Sequence, residues 1–571
     1  MQTEEKKLTG YPSVDKPWSK YYSEEAINTE IPEKTMYQCI YDNNKDYMHN
    51  KALNYFGKRI SYGELFKNIE KAAKAFQSIG VKKGDVVTIM SMHTPEVIYC
   101  IYALNRLGAV ANMVYLTLSE QEIVKTVKNT ESKALVVLNI ALEKINNIRD
   151  ELELTNVIVI SPSDSMKMIM RIGYSLKSKQ TKIDNRYLSY KEFIRKGKNR
   201  LVLQDEPFEK NIPAVIVYSS GSTGEAKGVM LSNYNLNAVA QQYKMSGMKF
   251  ERATTYLNML PPFVGFGISV GVHLPLFLGI EEIIWILPDA KKVSEAFYKY
   301  RPNHFVSGPV ILDSLMEVTN VKMDFLVNFA GGGESISIEK EELVNNFLKN
   351  HGANVKYVTG YGMTELGATV CTGMNHAYKL GTIGIPLPSV NVKVVDVDSG
   401  NEVKINEIGE LCFNAPNTMI GYYNNEQATN ETIKEHSDGK RWLHTGDLGL
   451  IDEDGFIHFE GRIKRIYITK AADSVVYKLF PMRVEELFMN NAKVHLCGTI
   501  AVKDVDKINA LVSFVSLHNK SDDVKQMISD LLGIARKELP EYSIPIKIIV
   551  LDEMPLTQSG KIDYKTLEKM V

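Results

Sequence analysis

Short apolar runs that end near glycine-rich loops recur along this sequence, and that pattern constrains the fold more than any other feature. Val86-Val-Thr-Ile-Met90, Ala134–Leu138, Val157–Ile160, Ile212–Val217, Ile283–Leu287, Phe325–Phe329 and Val355–Val358 each have the length of a buried strand. Helical patterns lie between them. Ser61-Tyr-Gly-Glu64 is a capping box, after which Leu65, Ile69, Ala72, Phe76 and Ile79 recur at helical spacing until Gly80. Pro95 opens another helix that runs to about Leu107. Strands alternating with helices predict an α/β architecture, whose ligands bind in the crevice beyond the strand ends.

A chain of 571 residues is too long for one ordinary core. The texture changes after Arg462, where strand-like Leu496–Val502 and Leu511–Leu517, a helix over about Asp522–Leu539 and a strand Ile546–Leu551 read as a small α+β unit. The expected organisation is a large domain of layered mixed sheets and helices over 1–463 and a small mobile α+β domain over 464–571.

The net charge is −1, so nothing global draws the chain to nucleic acid. The polar start, Met1-Gln-Thr-Glu-Glu-Lys-Lys, lacks the apolar core of a signal peptide. The apolar stretch Gly265–Ile280 is broken by glycines, His273 and Pro275 and falls short of a membrane span. Five scattered cysteines argue against a zinc site or a disulfide framework and suit a reducing cytoplasm. Between Ser165 and Arg200, eleven basic residues face only Asp184 and Glu192, a net +9, with Met166, Met168, Ile169, Met170 and Ile172 interleaved. This reads first as a solvated surface insertion; the other reading is a weak peripheral membrane patch.

Tyr218-Ser-Ser-Gly-Ser-Thr-Gly-Glu-Ala-Lys-Gly228 follows one of the strands and is expected to lead into a helix. Small residues let backbone N–H groups converge on a phosphate tail, hydroxyls add donors and Lys227 adds charge. It is not the common P-loop, because Lys227 is followed by Gly-Val; by composition alone such a loop is more often a linker, and its place between a strand and a helix is what points to phosphate. Gly360-Tyr-Gly-Met-Thr-Glu365 is either a tight turn or a site where Tyr361 offers a flat face and Thr364 and Glu365 offer oxygen ligands. Ala330-Gly-Gly-Gly-Glu334 is another glycine-rich loop. Thr445-Gly-Asp447 reads alone as a β-turn, and Lys561, in Pro555-Leu-Thr-Gln-Ser-Gly-Lys-Ile562, reads alone as solvated.

Taken in order, from about Lys51 to the C-terminus, these segments resemble the adenylate-forming superfamily of acyl-CoA synthetases, peptide-synthetase adenylation domains and firefly-type luciferases. The resemblance implies that Ser219, Ser220, Gly221, Ser222, Thr223, Gly224 and Lys227 hold the ATP triphosphate. It gives adenine to Gly331, Gly332, Gly333 and Tyr361, the reacting phosphate to Thr364, and Mg²⁺ to Glu365. Asp447 would hold the ribose with Arg462 beside it, Lys561 would bridge carboxylate and phosphate, and Lys464 would be the hinge of a swinging small domain. The implied reaction is ATP-dependent conversion of a carboxylic acid to an acyl-adenylate, then to a coenzyme A thioester.

Phe263, Val264, Gly265 and Phe266 occupy the acid-binding segment, where amino-acid-activating relatives carry an aspartate and many acyl-CoA synthetases a histidine in place of Val264. An ammonium would be unpaired there, so the expected substrate is a medium- or long-chain fatty acid, with Gly331–Gly333 leaving room for it. Two departures stand out. Ala226 replaces a proline in the phosphate loop. After Lys464 the segment carries extra residues, with Ala471 or Val476 where a flexible glycine is expected; Val is β-branched and resists positive φ. An acyl-AMP ligase delivering to a carrier protein is therefore the alternative, and a nucleotide-binding protein without catalysis is the third reading.

Overall fold

The helix Pro95–Arg106 has almost no solvent face: every residue from Pro95 to Asn105 is buried. A helix buried all round belongs inside a protein. Its side chains join one continuous core with Leu53 and Tyr55 from one large sheet and Val87, Ile89 and Met113 from another. The computed structural model describes residues 8–177, 185–198, 204–219, 226–287, 289–318, 321–333, 336–470, 476–504, 508–519, 523–557 and 561–571.

Among the described residues two large sheets form, the first of eight strands in the order Gly421–Tyr422, Lys227–Ser232, Pro213–Ser219, Val110–Val114, Val86–Met90, Ala134–Leu138, Val157–Ile160 and Leu188–Ser189. The second has nine and runs from Ile385–Pro386 through Cys371–Thr372, Tyr357–Tyr361, Asn328–Gly332, His304–Ser307, Thr255–Asn258, Glu281–Ile284 and Lys51–Tyr55 to Lys58–Ser61. Parallel pairing dominates both centres, as in Gly332↔Gly360 and Val87↔Ala134. A third, antiparallel sheet contains Asn391–Val395, Gly409–Asn414, Arg441–Ile451, Ile433–Glu435 and Ile457–Arg462.

Beyond it lie the hairpin Tyr467–Lys470/Val476–Leu479 and a small sheet of Val494–Asp504, Ile508–Leu517 and Lys547–Leu551, covered by the helix Val524–Glu538. Large buried cores separate between Ile457 and Leu479. The fold is thus a large layered α/β body with a smaller α+β one. Among the described residues no helix is long and apolar enough to cross a membrane.

The expected capping box forms, with Glu64 N donating to Ser61 Oγ and Ser61 N donating to Glu64 Oε2. Strands Val86–Met90, Ala134–Leu138 and Val157–Ile160 stand where the sequence places them. Phe325 does not join a strand: pairing with His304–Ser307 starts at Asn328 and carries the strand into the glycines to Gly332.

Candidate active site

The phosphate-loop segment differs from expectation. Pro213–Ser219 is followed by an antiparallel strand, Lys227–Ser232, with Ser219 opposite Lys227, so the strands on either side of the loop pair with each other. Val229 and Leu231 alternate inward at 0% exposure, which selects a strand. The helix Asn233–Met245 starts only after that strand, capped by Ser232, and its N-terminus is not the end of the loop. Ser220, Gly221, Ser222, Thr223 and Gly224 lie outside the described residues. Their flanks suit an anion: the Ser219 hydroxyl is buried with no hydrogen-bond partner among the described residues, and the Lys227 ammonium lies 4.8 Å from the Tyr422 ring centre.

Tyr422 had no local sequence signal. It is delivered by non-local pairing of Gly421–Tyr422 with Lys227–Ser232, and its hydroxyl donates to Glu365 Oε1 at 2.9 Å. Burial and the Glu365 charge push that hydroxyl well above its usual range. Asn417, fully buried, donates to the carbonyls of Leu366 and Thr369 and fixes the turn that carries Thr364 and Glu365. A buried carboxylate beside a threonine hydroxyl is a set of hard oxygen donors, and that chemistry fits Mg²⁺.

Thr445-Gly-Asp447 is not a β-turn. It lies inside the strand Arg441–Ile451, where Gly446 takes φ +71° and the pairing with Gly409–Asn414 is irregular between Glu410 and Cys412. Such an irregularity re-aims side chains. Asp447, 2% exposed, stands opposite Arg462, whose Nε is 3.1 Å from Oδ1, while Tyr361 Oη donates to Oδ2 at 2.6 Å. Oδ1 has this ion pair but no hydrogen bond among the described residues, leaving a buried acceptor for a ligand hydroxyl. Burial raises the Asp447 carboxyl, opposed by Arg462, by the Tyr361 bond and by Lys561. Lys561 itself is exposed, on a loop closed by the Thr557 N to Lys561 O bond of 2.6 Å, and its charge reaches Asp447 from the small body. Phe413 and Phe459 each lie 6.0 Å from the Tyr361 ring, centre to centre.

The segment Leu260–Gly267, expected to bind the acid, lies directly against the turn that carries Thr364. A Cβ built at Gly267 would lie 1.7 Å from the Pro261 carbonyl oxygen, so that glycine is needed for the close approach, and one at Gly265 would make a tight 3.1 Å contact with Thr364 Cα. Phe263 packs on Tyr115 at 4.7 Å between ring centres, and Phe263 and Phe266 lie half-buried against the main core. The segment leads into a π-helical turn, Gly267–His273. Asn258, also unsignalled in the sequence, accepts from Leu260 N and donates to Gly271 O and to Glu282 Oε1. The room expected at Gly331 is already filled: a Cβ there would be 1.7 Å from the Tyr357 hydroxyl. Gly332 faces the Gly360 carbonyl, and only Gly333, at φ +88°, opens onto free space.

Lys464 sits in the single turn Ile463–Arg465, between the last strand of the large body and the hairpin. Sequence reasoning missed Arg465, which binds both Glu485 oxygens and the Thr499 carbonyl and lies 3.8 Å from the Tyr564 ring centre. Ala471 lies outside the described residues; Val476 pairs with Lys470 in extended backbone, at 59% exposure.

Residues 40–423 match the AMP-binding enzyme family, and residues 483–561 match the AMP-binding enzyme C-terminal domain. A long-chain-fatty-acid–CoA ligase of Bacillus subtilis is 25% identical over 96% of both chains, and a probable 4-coumarate–CoA ligase of Dictyostelium discoideum is 26% identical over 96% of this chain and 97% of its own. Among solved structures, ATP-bound MatB from Rhodopseudomonas palustris aligns with TM-score 0.78 at 21% identity, and the anthranilate CoA ligase AuaEII in complex with anthranoyl-AMP with TM-score 0.80 at 19% identity. Each covers 94% of this chain and 98% of its own.

Proposed function

The chain belongs to the AMP-binding enzyme family, and from that premise we propose that it activates a medium- or long-chain fatty acid as an acyl-adenylate and passes the acyl group to coenzyme A. The observation that carries this reading is the contact of Gly265 with Thr364. It brings the acid-binding segment against the segment that holds Glu365 and, through Tyr361, Asp447.

The residues divide the work. Asp447 accepts from the ribose hydroxyls, Tyr361 offers its face to adenine, and Lys227 with the preceding hydroxyl-rich loop holds the phosphates. Glu365 and Thr364 would hold Mg²⁺, which neutralises phosphate charge when bound. Lys561 orients the substrate carboxylate toward the phosphorus next to the ribose. The carboxylate oxygen forms a bond to that phosphorus as the bond to the pyrophosphate oxygen breaks, with no covalent enzyme intermediate. Positioning and fixed charge supply most of the acceleration. In the second step the thiol sulfur of coenzyme A attacks the acyl carbon and AMP leaves.

An acyl chain is favoured because Leu260–Gly267 contains no carboxylate to pair an ammonium. Relatives named for fatty-acid and coumarate ligases support an acyl or aryl acid over an amino acid. The test is pyrophosphate release across a panel of carboxylic acids, with and without coenzyme A. Release only with short or amino acids would overturn the substrate. Acyl-adenylate that coenzyme A never consumes would move the chain to the acyl-AMP ligases that supply a carrier protein.

A further inference from the structure

The helix Met168–Lys177 is mounted the wrong way round for a surface helix. At about 100° per residue, Met168, Ile169 and Ile172 share one face, and their exposures are 79%, 85% and 52%. Ile169 and Met168 are more exposed than any other large apolar side chain among the described residues. Tyr174 lies on the opposite face, its hydroxyl hydrogen-bonded to the Asn139 side chain, and Arg171, on the flank beside Met168, acts on the Asp164 carboxylate. Met166, just before the helix, packs on the main core. The segment is therefore held by its polar side and by its root, with its apolar side facing water.

The segment that carries this face is strongly basic, a net +9 between Ser165 and Arg200. Lys167, just before the helix, and Arg171, on its flank, are exposed, and Arg186, Lys191, Arg195, Lys196 and Lys198 are exposed in the segment that follows. Glu192 is engaged in capping Ser189. Apolar side chains that face outward among lysines and arginines match a bilayer surface bearing anionic headgroups, where the side chains enter the acyl boundary and the cations meet the headgroups. We propose that Met168, Ile169 and Ile172 form a membrane-docking face that places this enzyme on anionic bilayers. The surface does not depend on the identity of the acid substrate.

The experiment is co-sedimentation of the full chain with phosphatidylcholine vesicles and with vesicles containing phosphatidylglycerol, at low and moderate salt. Anionic vesicles should capture more protein than neutral ones, and salt should weaken the capture. Ile169→Asp should lower the partition coefficient about tenfold or more. Its pyrophosphate release without vesicles should match the parent, because the residue is surface-exposed and belongs to none of the segments that form the site. Equal capture by both vesicle types, or an Ile169→Asp variant that sediments like the parent, would overturn the proposal. So would a chain that self-associates in solution through this face, shown by Ile169→Asp converting it to a smaller species in analytical ultracentrifugation.

Discussion

Asp447→Asn isolates the nucleotide-binding logic, because one side chain carries three relationships. Oδ2 accepts from Tyr361 at 2.6 Å, Oδ1 faces Arg462 Nε at 3.1 Å, and the same buried Oδ1 has capacity left for a ligand hydroxyl. The amide keeps the volume and removes the charge. A hydrogen bond to a charged group contributes about 1.5–3 kcal/mol net, so ATP should bind roughly 10–150-fold more weakly. The assay is calorimetric titration with a non-hydrolysable ATP analogue, which needs no acid substrate. Tyr361→Phe tests the same site from the other side. Burial already raises the Asp447 carboxyl, and the Tyr361 bond holds it down. Removing that bond raises it further, so ATP affinity should begin to fall at a higher pH as the solution is acidified. An unchanged ATP affinity in Asp447→Asn, with Arg462 still in place, would refute the ribose assignment.

Three further outcomes follow from the structure. Lys561→Ala should slow adenylation by about 10²–10³-fold, the scale for one electrostatic contact to a transition state, while thioester formation from ready-made acyl-adenylate survives; stopped-flow pyrophosphate release measures it. Gly265→Val should displace Thr364, whose Cα lies 3.1 Å from where the new Cβ would stand, and should both raise the KM for the acid and lower kcat for pyrophosphate release. Burial pushes the Glu96 carboxyl up to about 7 from 4.5; the folded chain therefore keeps a proton that the unfolded chain loses in that window. Its contribution is full below pH 4.5 and is lost as pH rises through 7, by about 3 kcal/mol. Glu96→Gln should flatten that slope, read from urea melts at pH 5 and pH 8.

What could be read from the residues was local. Periodicity and caps located the helices Tyr62–Ser78 and Pro95–Arg106 to within about a residue at their ends, and three strands to the residue, because each is determined by its own side chains. The phosphate loop failed as a strand-to-helix connection because the strand Lys227–Ser232 is defined by its partners on both sides, which lie near 216 and 421. The same holds in the site. Asp447, Glu365 and Lys561 could be picked out as motif members, but Tyr422 and Asn417 reach the Glu365 turn only through tertiary pairing. At Gly331 a small residue suggested space, whereas the Tyr357 hydroxyl, 26 residues on, occupies it. Glycine reports that something is close; it does not say whether the neighbour is ligand or protein.

The connection between the bodies follows the same reasoning one level up. Arg462 is committed to the large body, since it pairs with Asp447 in the ladder and by charge. Arg465 is committed to the small body through Glu485, Thr499 and Tyr564. The hairpin that follows is tied there as well, by Thr469 donating to the Asn509 carbonyl and Asn509 donating to the Ile468 carbonyl. A rotation of the small body that carried Lys561 away from Asp447 and brought another face to the acyl-adenylate would thus have to be absorbed at Ile463 and Lys464. Those two residues are flanked by anchored arginines, so a small change in their backbone angles would move the hairpin, the small sheet and the lysine loop together. A glycine within 471–476 is not needed for that movement. Val476 sits in extended ladder backbone with its side chain in solvent, where a β-branched residue is unstrained.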